Sequence, residues 1–171
     1  MLVDDIRTER LVLRSTREEW GGLCVDFWLD GEINKYLSDP PREKAGEKYL
    51  HFAEGIERDP SWYPFVAFHR ETGAFAGTCS AVPQQGDCWD LGYCIHKSFW
   101  RQGYGTEMVR GLIAWGRHMG AHAFTIDVAQ ENAASVALAK KLGFRVEREG
   151  SFRKSGTDII YPNYIFRLDV L

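Results

Sequence analysis

A segment with two glycines, from Ile95 to Glu107, limits the possible folds of this chain most strongly. The residues before it, 88–96, alternate as a strand does, and the residues after it follow a helical period. Gly103 and Gly105 permit a tight turn between the two elements. Such a turn can direct several backbone N–H groups to one spot, where the helix N-terminus adds partial positive charge. The segment therefore predicts either a diphosphate-binding loop or a turn with a structural role only.

Two common phosphate-binding motifs do not fit this segment. A dinucleotide fingerprint requires a third glycine, and Met108 stands at that position. A P-loop requires a Gly-Lys-Ser/Thr sequence, which this chain lacks. A nucleotide-dependent oxidoreductase is therefore disfavoured.

The periodicity of the whole chain predicts one α/β (α+β) domain, 1–171, with a mixed sheet flanked by helices. The short connections between three consecutive strands predict an antiparallel meander. Gly31 is predicted to stop the first helix. The predicted strands are residues 8–14, 62–69, 74–82, 88–96, 121–128, 144–149 and 160–168. The predicted helices are residues 18–29, 42–58, a segment after Gly103, and 133–142.

Composition excludes several classes of protein. The 171 residues are 44% hydrophobic with a net charge of −3, so we expect a globular protein without a nucleic-acid partner. No apolar run reaches the length of a membrane span and no signal peptide is apparent, so we expect a cytoplasmic protein with no membrane partner. The four cysteines lack metal-ligand spacing, so we expect buried thiols and no metal site.

A second motif follows one strand later, where Asn132-Ala-Ala-Ser135 leads to Lys-Leu-Gly-Phe144. Together the two segments resemble the cofactor-binding core of the GNAT N-acetyltransferase superfamily. The glycine turn resembles its pyrophosphate loop, Gln/Arg-x-x-Gly-x-Gly/Ala, and the later segment resembles its Asn-x-x-Ser helix. Residues 8–14 resemble the opening strand of the RimJ/RimL-like branch, and residues 90–95 resemble its central strand. The resemblance covers residues 8–168.

The resemblance implies the GNAT fold, with a mixed, mostly antiparallel sheet that splays between its two central strands. It implies acetyl-coenzyme A as the cofactor, bound in the splay with its pantetheine arm acting as a further strand. The implied reaction is direct attack by a primary amine on the acetyl thioester. The implied cofactor-binding residues are Tyr93, Cys94, Ile95, Arg101, Gln102, Gly103, Tyr104, Gly105, Thr106, Asn132 and Ser135.

Two acidic residues are candidates for the proton acceptor that such a reaction needs, and a third is better suited to another role. Asp90 is the first, because relatives often carry a glutamate at this place in the strand; it is otherwise a solvent-facing strand residue. Glu32 is a weaker candidate from the segment between the two N-terminal helices. Glu107 lies in the first turn of a predicted helix, where it complements the helix dipole or caps the loop.

The remaining catalytic roles follow from the resemblance. The N–H of Ile95 or of its neighbour would bond the thioester oxygen. Ser135 would donate a hydrogen bond to the leaving sulfur, or serve only its own helix terminus. Asn132 would bond the pantetheine arm, cap its helix, or do both. Two positions depart from the family pattern, since Trp100 replaces Gln or Arg and Ala139 replaces a tyrosine that protonates the thiolate.

The acceptor amine is the least constrained feature. The RimJ/RimL resemblance makes a protein N-terminal amine the first expectation and a small polyamine, amino acid or antibiotic amine the second. A peptide acceptor predicts an open groove, whereas a small amine predicts a closed, acidic pocket. A non-catalytic acyl-CoA sensor is a third possibility, and a homodimer is possible. Residues that either line an acceptor slot or pack in the core are Trp20, Trp28, Tyr36, Trp62 and Tyr63.

Overall fold

A computed structural model describes residues 1–170, which form one eight-stranded sheet with helices against it. The strands are β1 Ile6–Arg7, β2 Leu11–Ser15, β3 Tyr63–His69, β4 Phe75–Pro83, β5 Cys88–Ile95, β6 Ala123–Ala129, β7 Arg145–Arg153 and β8 Ile160–Asp169. The α-helices are α1 Gly21–Trp28, α2 Gly31–Asn34, α3 Glu47–Leu50, α4 Tyr104–His118 and α5 Ala133–Lys141. Within residues 1–170, no helix has the length and apolar character needed to cross a membrane.

The sheet has the strand order β1-β2-β3-β4-β5-β6-β8-β7. Every neighbouring pair is antiparallel except β5 and β6, which run parallel. A parallel pair needs a long crossover, and α4 supplies it. The expected mixed sheet and the antiparallel meander from β3 to β5 are confirmed.

The main core lies between α4 and one face of the sheet. Met108, Val109 and Leu112 of α4 are fully buried, as their helical spacing predicts. Each such side chain contributes about 1.5–3 kcal/mol by leaving water. The sheet residues of this core include Leu11, Leu13, Phe65, Leu91, Phe124 and Phe166.

All four cysteines carry free thiols, and three of them are buried.

The long helix predicted over residues 42–58 does not form, and that prediction is wrong. The segment contains only α3 and short 3-10 turns at Arg42–Lys44 and Ile56–Arg58. Gly55 takes a left-handed conformation with φ of 75°, which interrupts a helix. The apolar side chains are buried by another route, since Phe52 packs edge-on against Trp28 with ring centroids 4.8 Å apart.

The predicted role of Gly31 as a helix stop is also incomplete. Gly31 opens the short helix α2, because the Asp30 carboxylate accepts hydrogen bonds from the N–H groups of Glu32 and Ile33. The N-terminal strand differs as well. A turn at Thr8 divides it into β1 and β2.

Gly77 of β4 provides a test of this sheet. Its φ is 149°, and a Cβ there would overlap the carbonyl oxygen of Cys94 on β5. We expect Gly77→Ala to lower the free energy of unfolding by about 2–4 kcal/mol, measured by urea denaturation. Gly22→Ala is the control, because a Cβ at Gly22 meets no atom within 4 Å. Equal stability of the two variants would contradict the described β4–β5 contact.

Candidate functional site

The central feature of the site is a splay between β5 and β6. Their pairing runs from Cys88 opposite Ala123 to Asp90 opposite Thr125 and then stops, although β5 continues to Ile95. The next N–H along the chain, that of His96, bonds β4 at the Ala76 carbonyl. Successive peptide groups of a strand alternate in direction, so the Ile95 N–H points away from β4 and into the splay. Unpaired backbone groups require partners, which makes this cleft a place for a ligand with amide groups.

The glycine turn lies beside the cleft at the start of α4. Gly103 is the N-cap residue in a left-handed conformation with φ of 82°, and no side chain caps the helix. The first intrahelical bond joins the Glu107 N–H to the Gly103 carbonyl at 3.1 Å. The preceding N–H groups of Tyr104, Gly105 and Thr106 therefore lack helical acceptors. This set of donors fits a diphosphate group.

Gly105 has a second role at this end of α4. A Cβ on Gly105 would lie 3.0 Å from Leu138 of α5 and 3.6 Å from Ile95 of β5. The absence of a side chain therefore lets α4, α5 and β5 meet at the cleft. Trp100, which departs from the family pattern, donates from its indole nitrogen to the Ile95 carbonyl at 2.8 Å.

A polar network fastens the glycine turn to the β1–β2 connection. The Glu107 carboxylate accepts from Thr8 Oγ1 at 2.7 Å and from the backbone N and Nε of Arg10 at 2.6 and 2.7 Å. Arg10 Nη1 donates to the Gln102 carbonyl at 3.0 Å. The Arg10 guanidinium also lies 3.8 Å from the centre of the Tyr104 ring. Glu107 lies in the first turn of α4 as expected, but sequence reasoning missed its partner Arg10.

The other residues predicted in this loop are exposed to solvent. Arg101 has a left-handed backbone with φ of 58° and no carboxylate within salt-bridge distance among residues 1–170. Gln102 donates from its side-chain amide to the Ser98 carbonyl at 3.1 Å. Their predicted role in binding a diphosphate stays a prediction.

The α5 side of the cleft contains two hydroxyl groups and a helix cap. Asn132 Oδ1 accepts from the Ser135 N–H at 3.3 Å, so the capping role of Asn132 is confirmed. The Tyr93 hydroxyl is buried and has no hydrogen-bond partner of good geometry among residues 1–170. Burial raises the pKa of Tyr93 to about 12, and the neighbouring Ser135 hydroxyl opposes that shift. A buried hydroxyl without a firm partner marks a place that a bound molecule can complete.

Asp90 occupies the point where the splay begins. It is partly buried, and its Oδ1 accepts from Thr125 Oγ1 at 2.6 Å. Burial raises the pKa of the Asp90 carboxyl, the Thr125 hydrogen bond opposes this shift, and the charge of Asp127 adds to it. A carboxylate with a raised pKa beside a cleft is suited to accept a proton.

Asp127 on β6 is a carboxylate that sequence reasoning missed. It lies two residues beyond Thr125, and therefore on the same face of β6, and it borders the pocket described below. Asn163 Nδ2 donates to its Oδ1 at 2.7 Å, and burial raises the pKa of the Asp127 carboxyl. The alternation of side chains in the predicted strand 121–128 could have indicated this residue, because it places Asp127 on the face opposite the apolar core positions.

A pocket of about 530 Å³ adjoins the cleft on the Asp127 face of the sheet. Its lining contains eight aromatic residues and also the carboxylates of Asp39 and Asp127. The Tyr49 hydroxyl donates to Asp39 Oδ2 at 2.7 Å. We call this space the acceptor pocket. Its aromatic lining residues are Trp28, Tyr36, Tyr49, Phe52, Trp62, Phe65, Tyr93 and Phe152.

The remaining residues that the sequence analysis singled out lie in several different places. Trp28, Tyr36 and Trp62 line the acceptor pocket, as does the side of β5 that carries Cys94. Trp20 and Tyr63 pack against other rings outside the pocket, namely those of Phe68 and Trp89. Glu32 is exposed and lies 4.0 Å from Lys97, outside the pocket lining. Ala139 is fully buried in the core.

Comparison with known proteins identifies the family. A family model described as an acetyltransferase (GNAT) domain matches residues 10–145, which is most of the chain. The chain belongs to the GNAT family. It is therefore an acyl-CoA-dependent N-acetyltransferase, as expected from the glycine turn and the Asn132 segment. The unpaired β5 backbone and the free N–H groups of α4 fit acetyl-coenzyme A.

Individual relatives agree with this family. The chain is 25% identical over 156 residues to the uncharacterized N-acetyltransferase p20 of Bacillus licheniformis, covering 88% of this chain and 86% of the relative. The structure of the ribosomal-protein α-N-acetyltransferase RimL in complex with coenzyme A superposes with a TM-score of 0.78 at 18% identity, covering 98% of both chains. Spermidine N-acetyltransferase from Vibrio cholerae superposes with a TM-score of 0.80 at 14% identity, covering 94% and 95%. These two structures establish the fold and do not determine the acceptor.

The Glu107 network predicts a pH-dependent stability. Burial alone would raise the pKa of Glu107, but the hydrogen bonds from Thr8 and Arg10 lower it below the ordinary value of 4.5. The ionised carboxylate therefore stabilises the fold fully above pH 4.5, and this contribution is lost as the pH falls through the lower folded-state pKa. We expect Glu107→Gln to lower the free energy of unfolding by about 1–3 kcal/mol at pH 7.

The measurement is urea denaturation of the wild type and the variant between pH 3 and pH 8, and the difference should shrink at the acidic end. The exposed neighbour Glu9 supplies the control variant Glu9→Gln. A Glu107→Gln effect that does not change with pH would contradict the described network.

Proposed function

We propose that this enzyme transfers the acetyl group of acetyl-coenzyme A to the primary amine of a small molecule with an apolar or aromatic body. The observation that carries this proposal is the acceptor pocket. It has a volume of about 530 Å³, adjoins the splay, and combines aromatic side chains with two carboxylates. The two carboxylates and the aromatic side chains of the lining favour a small amine over the protein N-terminus that the RimJ/RimL resemblance suggested first. One side of the pocket is open to solvent, which keeps a peptide N-terminus as the second candidate.

The lining chemistry supports a cationic acceptor. An acceptor amine is an ammonium at neutral pH, and Asp39 and Asp127 are the charged residues of the lining. Aromatic rings attract an ammonium through their faces and also bury the apolar part of its carrier. The pocket is thus matched to a molecule with one charged end and an apolar body.

We assign the roles that acetyl transfer needs to residues of the cleft. The Ile95 N–H is proposed to bond the thioester oxygen, and such a bond strengthens as the oxygen becomes anionic. Asp90 is the proposed base, which removes a proton from the acceptor ammonium so that its nitrogen has a free electron pair. The nitrogen then forms a bond to the acetyl carbon while the carbon–sulfur bond breaks. The nitrogen then loses a second proton, and the thiolate takes up a proton and leaves as the free thiol.

Two hydroxyl groups are proposed to serve the leaving sulfur in place of the tyrosine that Ala139 replaces. Ser135 and Tyr93 lie together on the α5 side of the cleft, and the raised pKa of Tyr93 keeps its hydroxyl protonated at neutral pH. A protonated hydroxyl donates a hydrogen bond to a thiolate. The cofactor itself is proposed to rest on the glycine turn and on Asn132.

Replacement of Asp90 tests its role as the base. Because burial raises its pKa, the ionised Asp90 lowers stability above that pKa, and Asp90→Asn should be at least as stable as the wild type at pH 7. We expect its kcat/KM for the acceptor to fall about a hundredfold at neutral pH. The deficit should shrink as the pH approaches the pKa of the acceptor amine, where the free amine needs no base.

The measurement is a pH–rate profile of the wild type and Asp90→Asn, with coenzyme A affinity recorded by calorimetry. The exposed Asp4→Asn is a matched control. A wild-type profile for Asp90→Asn would remove Asp90 from the base role.

Thiol release from acetyl-coenzyme A, measured against a panel of amines, tests the proposed acceptor. The panel contains arylalkyl amines, polyamines, amino acids, aminoglycosides and peptides with free N-termini. We expect the highest kcat/KM for a compact amine with an apolar body, because such a molecule fills the acceptor pocket. Turnover on peptides alone would contradict the small-amine proposal and support the second candidate.

A further inference from the structure

We propose that Lys154 is a specificity-determining positioning residue, which fixes one wall of the acceptor pocket and so limits the size of the acceptor. The wall is the segment 34–39, and Lys154 lies in the turn between β7 and β8. This inference rests on the proposed function of the acceptor pocket.

Lys154 is a buried lysine that bonds two carbonyl groups. Only 5% of the residue is exposed, which is rare for lysine. Its Nζ donates to the Asn34 carbonyl at 2.6 Å and to the Leu37 carbonyl at 2.9 Å. No carboxylate lies within 4.0 Å of Nζ among residues 1–170, so these carbonyls, rather than a salt bridge, hold the ammonium in place.

Further contacts join the same two parts of the chain. The Ser155 N–H donates to the Ser38 carbonyl at 2.9 Å, and the Tyr161 hydroxyl donates to the Lys35 carbonyl at 2.7 Å. The rings of Tyr36 and Tyr161 meet edge to face with centroids 5.9 Å apart. We call these contacts together with those of Lys154 the clasp. The clasp ties segment 34–39 to the β7–β8 hairpin across more than 110 residues of sequence.

The segment depends on the clasp because it has little support of its own. After α2 ends at Asn34, residues 35–39 form neither a helix nor a strand. Asn34 fixes the beginning and end of the segment, with its Nδ2 bonded to the carbonyls of Trp28 and Pro40 at 2.9 and 3.0 Å. The hairpin supplies the hydrogen-bond donors to four backbone carbonyls of the segment, those of Asn34, Lys35, Leu37 and Ser38. A segment held mainly by side chains and one turn opens more easily than regular structure.

The same segment forms a wall of the acceptor pocket. Tyr36, Leu37, Ser38 and Asp39 are consecutive lining residues, and Phe152 of β7 lines the pocket next to them. Burial lowers the pKa of Lys154, and the charge of Asp39 opposes that shift. Lys154 does not itself line the pocket. It therefore acts on the acceptor through the wall.

Lys154→Met tests the proposal, because methionine fills similar space without N–H donors. Hydrogen–deuterium exchange reports on the wall, and we expect the amides of residues 35–39 to exchange about tenfold faster. Steady-state kinetics report on specificity, and we expect the ratio of kcat/KM for a bulky amine to that for a compact amine to rise about tenfold. The KM for acetyl-coenzyme A should not change.

Matched variants separate this role from a general loss of stability. Lys154→Arg keeps a charged donor and should restore part of the wild-type ratio. Lys48→Met, on the exposed side of α3, should behave as the wild type. Tyr161→Phe removes a single bond of the clasp and should shift both measurements in the same direction by a smaller factor. It provides the test if Lys154→Met does not fold.

Two results would overturn the proposal. One is wild-type exchange in residues 35–39 of a folded Lys154→Met protein. The other is faster exchange of these amides with an unchanged ratio of kcat/KM for the bulky and the compact amine. The clasp would then have a structural role only. If the wild type acetylates only peptides, the small-amine function fails separately. The ratio of kcat/KM values is then measured with peptides that begin with a large or a small residue. The same two results would again overturn the proposal for Lys154.

Discussion

The end of β5–β6 pairing after Asp90 and Thr125 is the constraint on which the site depends. A parallel pair that continued to Ile95 would satisfy the backbone of both strands and leave no cleft. Because the pairing stops, the Ile95 N–H and its neighbours face an open space, and a ligand with amide groups can complete the sheet. We propose that the two substrates meet at this opening, with the cofactor at the glycine turn and the amine in the acceptor pocket. Proximity of this kind supplies a large part of the acceleration in a two-substrate transfer.

The two sides of the opening are built differently. On the proposed cofactor side, the donors are backbone groups of a turn and of two helix ends, and the Arg10–Glu107 pair fastens the turn to the N-terminal strands. Backbone recognition tolerates changes of side chain, such as Trp100. On the opposite side, side chains from many separated parts of the chain line the pocket, and the clasp joins two of these parts, segment 34–39 and the β7–β8 hairpin. Variation of acceptor among relatives with one fold follows naturally from this division.

The sequence predicted the parts of the molecule that local rules determine. The glycine turn, the buried face of α4 and the Asn132 cap follow from spacing and from the chemistry of helix ends, and the structure contains them. The helix predicted over residues 42–58 failed because its apolar spacing was satisfied by packing around Trp28, while Gly55 took a conformation that breaks a helix.

Features that depend on contacts between distant residues were not predictable. Asp127 becomes a pocket residue only because β6 diverges from β5, and Lys154 acts on a segment about 117 to 120 residues away. The Arg10–Glu107 pair likewise joins residues 97 positions apart. No spacing rule within one element connects such partners. Asp90, the predicted base, lies where the splay begins, and the pKa of its carboxyl is raised. Its role as the base stays a prediction.

A crystal structure with bound coenzyme A tests the central claim most directly. The account predicts that the pantetheine arm lies between β5 and β6, with an amide bonded to the β5 backbone beyond Asp90. It also predicts that the diphosphate meets the N–H groups of residues 104–106. Coenzyme A bound elsewhere, or strands β5 and β6 paired beyond Asp90 and Thr125 with the ligand present, would contradict it.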